Sequence, residues 1–118
     1  MGMEKLLEAF VCGIPDPVVI TDTDHMVLYM NQAAIDLFEG GEALLGKSLF
    51  DCHKEESGRI MEEVLERLKA GEVEVQITER QGEDPENRQR TFMRAIRDRD
   101  GNLLGYYERY MYWPKRID

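Results

Sequence analysis

The dipeptide Asp100-Gly101 separates two segments rich in apolar and aromatic residues, 91–97 and 103–113. An Asp-Gly pair in this setting is typical of a type I′ turn, which joins neighbouring antiparallel strands because both central residues take positive φ angles. Just upstream, residues 73–77 alternate apolar and polar side chains, the period of a strand with one buried face. The chain is therefore predicted to end in three antiparallel strands whose shared inner face must be covered.

The first predicted element is an amphipathic helix. Apolar side chains recur at helical spacing over residues 3–11, with charged residues between them, and Gly13 and Pro15 end the pattern. The apolar face of this helix requires a partner, either its own sheet or a second copy of the chain.

A second predicted hairpin follows. Residues 17–21 and 26–30 are short β-branched or apolar runs, and we expect His25, in the turn between them, to face water. Asn31 is a predicted N-cap for a short helix that ends at Gly40-Gly41.

A longer helix is predicted in the middle of the chain. Residues 42–56 have a broken pattern that suggests one or two single-turn helices, and Ser57 is a predicted N-cap for a helix over 57–70. Its apolar stripe is formed by Ile60, Met61, Val64, Leu65 and Leu68. Residues 81–89 read as a polar loop.

Four segments in this order resemble the PAS domain family along nearly the whole chain. They are Ile14-Pro15-Asp16-Pro17-Val18-Val19-Ile20-Thr21-Asp22, Tyr29-Met30-Asn31-Gln32-Ala33-Ala34, Leu45-Gly46-Lys47-Ser48-Leu49 and Asp98-Arg99-Asp100-Gly101-Asn102-Leu103-Leu104-Gly105. The resemblance implies an α+β fold with a five-stranded antiparallel sheet in the order 2-1-5-4-3, helices on one face and an internal pocket. It divides the chain into an N-terminal amphipathic dimerisation helix (1–13), a PAS domain (14–113) and a C-terminal tail (114–118).

The resemblance also suggests a ligand site near Cys52-His53, where PAS domains line their cavity. A neutral imidazole is a common axial ligand of haem iron, so His53 is a candidate haem ligand. The alternative is a histidine that bonds to the backbone or faces solvent, because the long helix, where such ligands usually lie, contains no histidine. The other predicted lining residues are Phe50, Ile60, Met61, Val64 and Met93.

Two further resemblances bear on the ligand. The Cys-His pair is loosely similar to a PAS subgroup attached to haemerythrin-like proteins, whose ligand the sequence does not identify. Flavin photochemistry of the LOV type is not expected, because Leu49 occupies the position of the reactive cysteine in that family, three residues after Gly46.

Two groups of residues have both a functional and a structural interpretation. Met26, Met30, Met61 and Met93 offer thioether ligands, but methionine is an ordinary core filler and we expect core packing. In the last strand, alternation places Tyr106, Glu108, Tyr110 and Tyr112 on one face and Tyr107, Arg109, Met111 and Trp113 on the other. One face is predicted to cover the core, and the other is a candidate protein interface.

Composition excludes several classes of function. The net charge of -9 argues against nucleic-acid and membrane-surface binding, which both need basic patches. The two cysteines and the lack of a signal segment favour a cytoplasmic protein with reduced thiols. An enzyme is not expected, because no isolated acidic pair supports a hydrolase and the only candidate catalytic groups are Cys52, His53 and the tyrosines.

Two functions stay open from the sequence. In the first, a small molecule or haem occupies the pocket, and the signal leaves through dimerisation or the terminal helices to an output module such as a kinase or a transcription factor. In the second, the core is filled by its own side chains and the domain is a ligand-free interaction module. A homodimer is the expected assembly.

Overall fold

The structure is a computed structural model that describes residues 2–38, 40–51, 55–81 and 88–113. Within these ranges the chain forms three α-helices and five β-strands. The helices are α1 (Met3–Cys12), α2 (Gln32–Leu37) and α3 (Glu55–Lys69), and two short 3₁₀ helices cover Gly41–Leu44 and Leu49–Asp51. The strands are β1 (Val18–Asp22), β2 (Val27–Met30), β3 (Glu74–Gln81), β4 (Arg88–Arg97) and β5 (Leu103–Trp113).

The five strands form one antiparallel sheet in the order β2-β1-β5-β4-β3, which confirms the predicted fold. Strand β5 lies at its centre, with Tyr106 opposite Thr21 of β1 and Ala95 of β4. Because opposed residues point to the same side of a sheet, these three positions share the inner face.

The hydrophobic core lies between this inner face and α3. The helix contributes the stripe Met61, Val64, Leu65 and Leu68, whose side chains are at most 4% exposed. Their spacing of three and four residues puts all of them on one side of the helix. The sheet, α2 and the second 3₁₀ helix complete the cluster with Val19, Val27, Met30, Ala34, Leu49, Val75, Met93 and Tyr106.

Asn31 connects the start of α2 to the segment that follows α1. Its side-chain oxygen accepts hydrogen bonds from the backbone amides of Ala34 (3.0 Å) and Val18 (2.9 Å). Its side-chain nitrogen donates to the carbonyls of Ile14 (3.1 Å) and Asp16 (2.8 Å). The predicted N-cap is therefore confirmed, and the same fully buried amide also holds residues 14–18 against the helix.

The β4–β5 hairpin forms where the sequence predicts it, but the predicted type I′ turn is wrong. That turn needs positive φ at both central residues, and of this pair only Gly101 has one, at 85°. The Gly101 amide donates to the Asp98 carbonyl (3.1 Å), and the Asp98 amide donates to the Asn102 carbonyl (3.0 Å). The Asp98 carboxylate accepts from the amides of Asp100 and Asn102, which favours a type I turn followed by a left-handed glycine.

Two predicted boundaries also differ from the structure. Helix α3 begins at Glu55, so Ser57 lies inside its first turn and the predicted Ser57 cap is wrong. Two glutamates occupy the first positions instead, where the helix dipole favours carboxylates. The predicted polar loop over 81–89 is too long, because β3 continues to Gln81 and β4 already begins at Arg88, the two residues forming a pair. Residues 82–87 lie outside the described residues.

The outer edge of β2 is covered by the chain around Lys47. The Val27 amide donates to the Lys47 carbonyl (2.9 Å), and the Gly46 amide donates to the Val27 carbonyl (2.8 Å). Met26 and Ser48 form a further antiparallel bridge. The outward backbone groups of Val27, at the start of this edge strand, are therefore already paired within the chain.

Helix α1 contributes no buried residue. The Tyr29 hydroxyl of β2 donates to the Glu8 carbonyl (3.3 Å), so the helix lies beside β2. Leu6, Leu7 and Phe10 are nevertheless more than half exposed. None of the helices within the described ranges combines the length and the apolar composition that a bilayer crossing requires.

Candidate functional site

The residues predicted to line a ligand site are only partly brought together. Met61, Val64 and Met93 meet in the core cluster between α3 and β4, each at most 4% exposed. Their burial is set by the apolar stripe of α3 and by the inner face of the sheet. Cys52 and His53, the central pair of the prediction, lie outside the described residues.

Phe50 and Ile60 are less buried than this cluster. Phe50, in the 3₁₀ helix Leu49–Asp51, is partly buried and packs against the core, whereas Ile60 is 36% exposed on α3. A Cβ atom added at Gly58 would lie 2.9 Å from Cδ1 of Phe50. The phenyl ring therefore rests directly on the backbone of α3, and a glycine inside an otherwise favourable helix sequence is the signal of that close approach.

The expectation that His25 faces water is wrong. The residue has φ 64°, and its side chain turns inward, leaving it 5% exposed. Its ring packs between those of Phe50, with centroids 4.4 Å apart, and Tyr106, with centroids 5.5 Å apart. The imidazole Nδ1 lies 2.6 Å from the Tyr106 hydroxyl, so the aromatic contacts and a hydrogen bond both favour the buried position.

Burial decides the charge of this pair. It lowers the pKa of His25 below its ordinary value, against the opposing fields of Glu62, Asp22 and Asp24, with Lys69 acting in the same direction as burial. Burial also raises the pKa of the Tyr106 hydroxyl well above its usual range. A neutral imidazole and a neutral phenol therefore share one hydrogen bond, and within the described chain Nε2 of His25 makes none.

The inner face of β5 carries a second polar pair. The Tyr110 hydroxyl donates to Oε2 of Glu108 at 2.6 Å, and the two side chains are 6% and 2% exposed. The ring of Tyr110 also meets Phe38 edge to face, with centroids 5.5 Å apart. The predicted alternation of β5 is confirmed for Tyr106, Glu108 and Tyr110, which line the core. The inner face of the sheet therefore carries hydroxyl and carboxylate groups beside the apolar core.

The opposite face of β5 is more exposed and carries mixed charge. The Arg109 guanidinium lies 4.9 Å from the ring centroid of Phe92 and 3.5 Å from a carboxylate oxygen of Glu74. Arg94 lies 3.6 Å from the other oxygen of Glu74. Aromatic and arginine side chains of this kind are common at protein interfaces, so this face keeps its predicted role as a candidate surface.

The methionines and the acidic, histidine and cysteine side chains were the remaining candidates for metal ligands. Met30, Met61 and Met93 are buried in the core, in agreement with the expected packing role. Among the residues that the structure describes, no group of three histidine, cysteine, aspartate or glutamate side chains is placed to hold a metal ion.

A signal for His25 was present in the sequence. Two four-residue turns have aspartate at their first and third positions. They are Asp22-Thr23-Asp24-His25 and Asp98-Arg99-Asp100-Gly101. Reading the two turns side by side places His25 where the second turn has glycine.

Comparisons with known proteins agree with this fold. A family model described as PAS fold matches residues 12–111. No curated protein sequence matches the chain. The PAS domain of BvgS from Bordetella pertussis is 20% identical, with a TM-score of 0.70, and the match covers 96% of this chain and 88% of that one.

Two structures from Vibrio cholerae are similar as well. A sensory box sensor histidine kinase is 14% identical, with a TM-score of 0.66, over 96% of this chain and 93% of that one. The Aer2 receptor, described as a dual PAS-haem oxygen sensor, is 15% identical, with a TM-score of 0.54, over 82% of this chain and 93% of that one. At such identities the likeness concerns the fold.

Proposed function

Because this chain belongs to the PAS family, a sensory family of signalling proteins, we propose that it binds a small ligand under its sheet and transmits the signal through α1. The observation that carries the proposal is the pair of buried polar contacts, His25 with Tyr106 and Glu108 with Tyr110. An apolar core alone needs neither pair, whereas ligand sites combine apolar walls with a few polar groups that fix orientation.

The proposed site extends from these pairs toward the start of α3. Met61, Val64 and Met93 supply the apolar wall, and Phe50, which packs against it, precedes Cys52-His53 in the sequence. We retain both residues as ligand-contacting candidates. Ile60, which is 36% exposed, contributes at the margin.

A small polar molecule suits this site better than haem. The described interior beside Phe50 is filled by the rings of His25 and Tyr106, so a planar group as large as haem requires Phe50 to move. If haem binds, His53 is the proposed axial ligand. It supplies a neutral imidazole, and haem supplies gas binding or redox chemistry.

Absorbance and native mass spectrometry of the purified protein test the proposal. A bound small molecule supports ligand sensing, and its loss from Tyr106→Phe and Glu108→Gln variants that stay folded would assign the site. Hemin titration of wild type, His53→Ala and His25→Ala separates the haem alternative. A Soret shift that is lost in His53→Ala alone would replace the small-ligand proposal by haem binding.

The competing proposal is a ligand-free interaction module. A protein that purifies without any bound molecule, binds no member of a metabolite set and stays dimeric on dilution would favour that module and overturn ligand sensing. In either case we propose a homodimer formed through α1, a cytoplasmic location, no catalytic activity and an output partner such as a kinase or a transcription factor.

A further inference from the structure

Two turns of this molecule share the same pattern of backbone hydrogen bonds but differ in the residue at the position with positive φ. In each, the first aspartate accepts hydrogen bonds from the amides two and four residues later: Asp22 from Asp24 (2.9 Å) and Met26 (3.0 Å), and Asp98 from the equivalent amides (2.9 Å each). The fourth residue has positive φ, 64° in one turn and 85° in the other. That residue is His25 in the β1–β2 turn and glycine in the β4–β5 turn.

The left-handed backbone conformation of His25 costs free energy, and the contacts of its ring must offset that cost. The left-handed conformation disfavours residues with a Cβ atom, although histidine tolerates it better than most. The β4–β5 turn shows that the backbone needs only a glycine here. The His25 side chain is therefore explained by what its ring contacts and not by the turn.

The ring joins three parts of the molecule that are distant in sequence. Its Nδ1 bonds to the Tyr106 hydroxyl on the central strand, and its face packs on Phe50. The backbone carbonyl of His25 also accepts from the Leu49 amide at 2.9 Å. One residue thus fixes the 3₁₀ helix Leu49–Asp51 to the sheet, directly before the segment proposed to contact ligand.

We propose that His25 is a proton-operated latch: its neutral imidazole holds Phe50 and the Leu49–Asp51 helix against the sheet, and protonation releases them. The inference rests on the proposed function only for its consequence, because Phe50 is one of the proposed lining residues. The latch itself requires no ligand.

The charges around the ring set the direction of the switch. A protonated ring has two N–H donors; the Tyr106 hydroxyl can accept one, and within the described residues Nε2 has no acceptor. Glu62 of α3 and two turn carboxylates, Asp22 and Asp24, favour the cation, whereas Lys69 of α3 opposes it. Burial outweighs them and lowers the pKa, so the cation is more stable when the ring reaches water.

The latch is closed at neutral pH and opens in acid. The released ring titrates near the ordinary value of about 6.5 and the latched ring titrates below it. Above pH ~6.5 neither form binds a proton and the latch is closed. As pH falls below that value the released form binds the proton more readily, so the latch opens.

Heteronuclear NMR of the whole chain across pH 4.5 to 8 tests the latch. We expect the His25 Cε1–Hε1 signal to titrate with a midpoint below about 6.5. The Phe50 ring signals and the Leu49 amide should shift with the same midpoint. A His25 midpoint at or above the ordinary value, or Phe50 and Leu49 signals that stay constant through the His25 titration, would overturn the proposal.

Three variants control the experiment. His25→Gly reproduces the residue of the β4–β5 turn and should keep the fold while abolishing the pH response of Phe50 and Leu49. His25→Asn, which also tolerates positive φ, serves if the glycine variant unfolds. His53→Ala removes the second histidine of the chain and should retain the response. A response that survives in either His25 variant, or disappears in His53→Ala, refutes the latch without affecting the test for bound ligand.

Discussion

Helices α1 and α3 are both amphipathic in sequence, yet the molecule uses their apolar stripes in opposite ways. The stripe of α3 is almost completely buried under the sheet, with Leu68 at 0% and Met61 at 2% exposure. In α1, Leu6, Leu7 and Phe10 remain 53%, 54% and 68% exposed. Amphipathic periodicity therefore predicts a helix and its apolar side, but not whether the same chain covers that side.

The difference lies in what the flanking segments permit. Helix α3 leads through a short turn at Gly71 into β3, so it has to cross the inner face of the sheet. Helix α1 precedes the sheet, and Tyr29 contacts its backbone from the edge strand β2. An exposed apolar stripe of this length is typical of a surface that associates with another molecule.

Substitutions in α3 and α1 should differ most in their effect on the free energy of unfolding. Leu68→Ala removes a fully buried side chain from the core and should cost about 2–5 kcal/mol, whereas Leu7→Ala should change stability by less than about 0.5 kcal/mol. Urea denaturation at low protein concentration measures both. Similar losses in the two variants would mean that α1 is part of the monomer core.

The second prediction concerns association. If α1 forms the dimer interface, Leu7→Glu should raise the dissociation constant of the dimer at least about tenfold, because burying a leucine contributes roughly 1.5–3 kcal/mol. Analytical ultracentrifugation over a dilution series checks this, with Lys5→Gln, which changes the net charge by the same single unit, as the control on the same helix. Equal dissociation constants for Leu7→Glu and wild type would place the interface elsewhere.

Gly58→Ala should destabilise the protein, although the same change stabilises an isolated helix. The expected loss of unfolding free energy is smaller than that for Leu68→Ala. Alanine normally improves a helix by about 1 kcal/mol, but here the new Cβ lies 2.9 Å from Phe50, and overpacking costs about 1–3 kcal/mol. We expect a net loss of about 1 kcal/mol, with altered Phe50 ring signals in NMR spectra. Stabilisation with unchanged ring signals would show that Phe50 does not rest on α3.

The smallest effect is expected where α3 ends. Arg67 and Glu72 form an exposed ion pair, in which the hydrogen bond from Arg67 holds the pKa of the Glu72 carboxyl below its usual range. Any stabilisation is present above the ordinary glutamate pKa and lost as pH falls through the lowered one. Because solvent screens such pairs, Glu72→Gln should leave the urea midpoint at neutral pH unchanged. A clear drop would give this pair a role in fixing α3.

The elements of the fold were predictable because each has a local cause. Asn31 was identified as an N-cap from its position before an apolar helix, and the Asp-Gly pair located the last hairpin. The strand order came from the resemblance to PAS domains, since periodicity alone does not say which strands pair. Ser57 was misassigned because adjacent acidic residues start a helix equally well.

The site was less accessible from sequence. Met61, Val64 and Met93 followed from periodicity, but the burial of His25 depends on Tyr106, a residue 81 positions away. Turn residues are usually exposed, so a local rule assigns the histidine to solvent. The turn geometry and the two aromatic neighbours reverse that assignment, and only a three-dimensional structure combines them.

The paired outer edge of β2 has a consequence for how copies of this molecule meet. Strands at the rim of a sheet can recruit strands from other molecules, a common route to aggregation. Lys47 and Gly46 already occupy the β2 rim at Val27, so strand addition between molecules is favoured at β3, the opposite rim. Glu74, Glu79 and Arg80 belong to β3, and charged residues on a rim oppose such pairing. The sheet thus leaves its outer face open to contact while the charges of β3 oppose strand addition at the free rim.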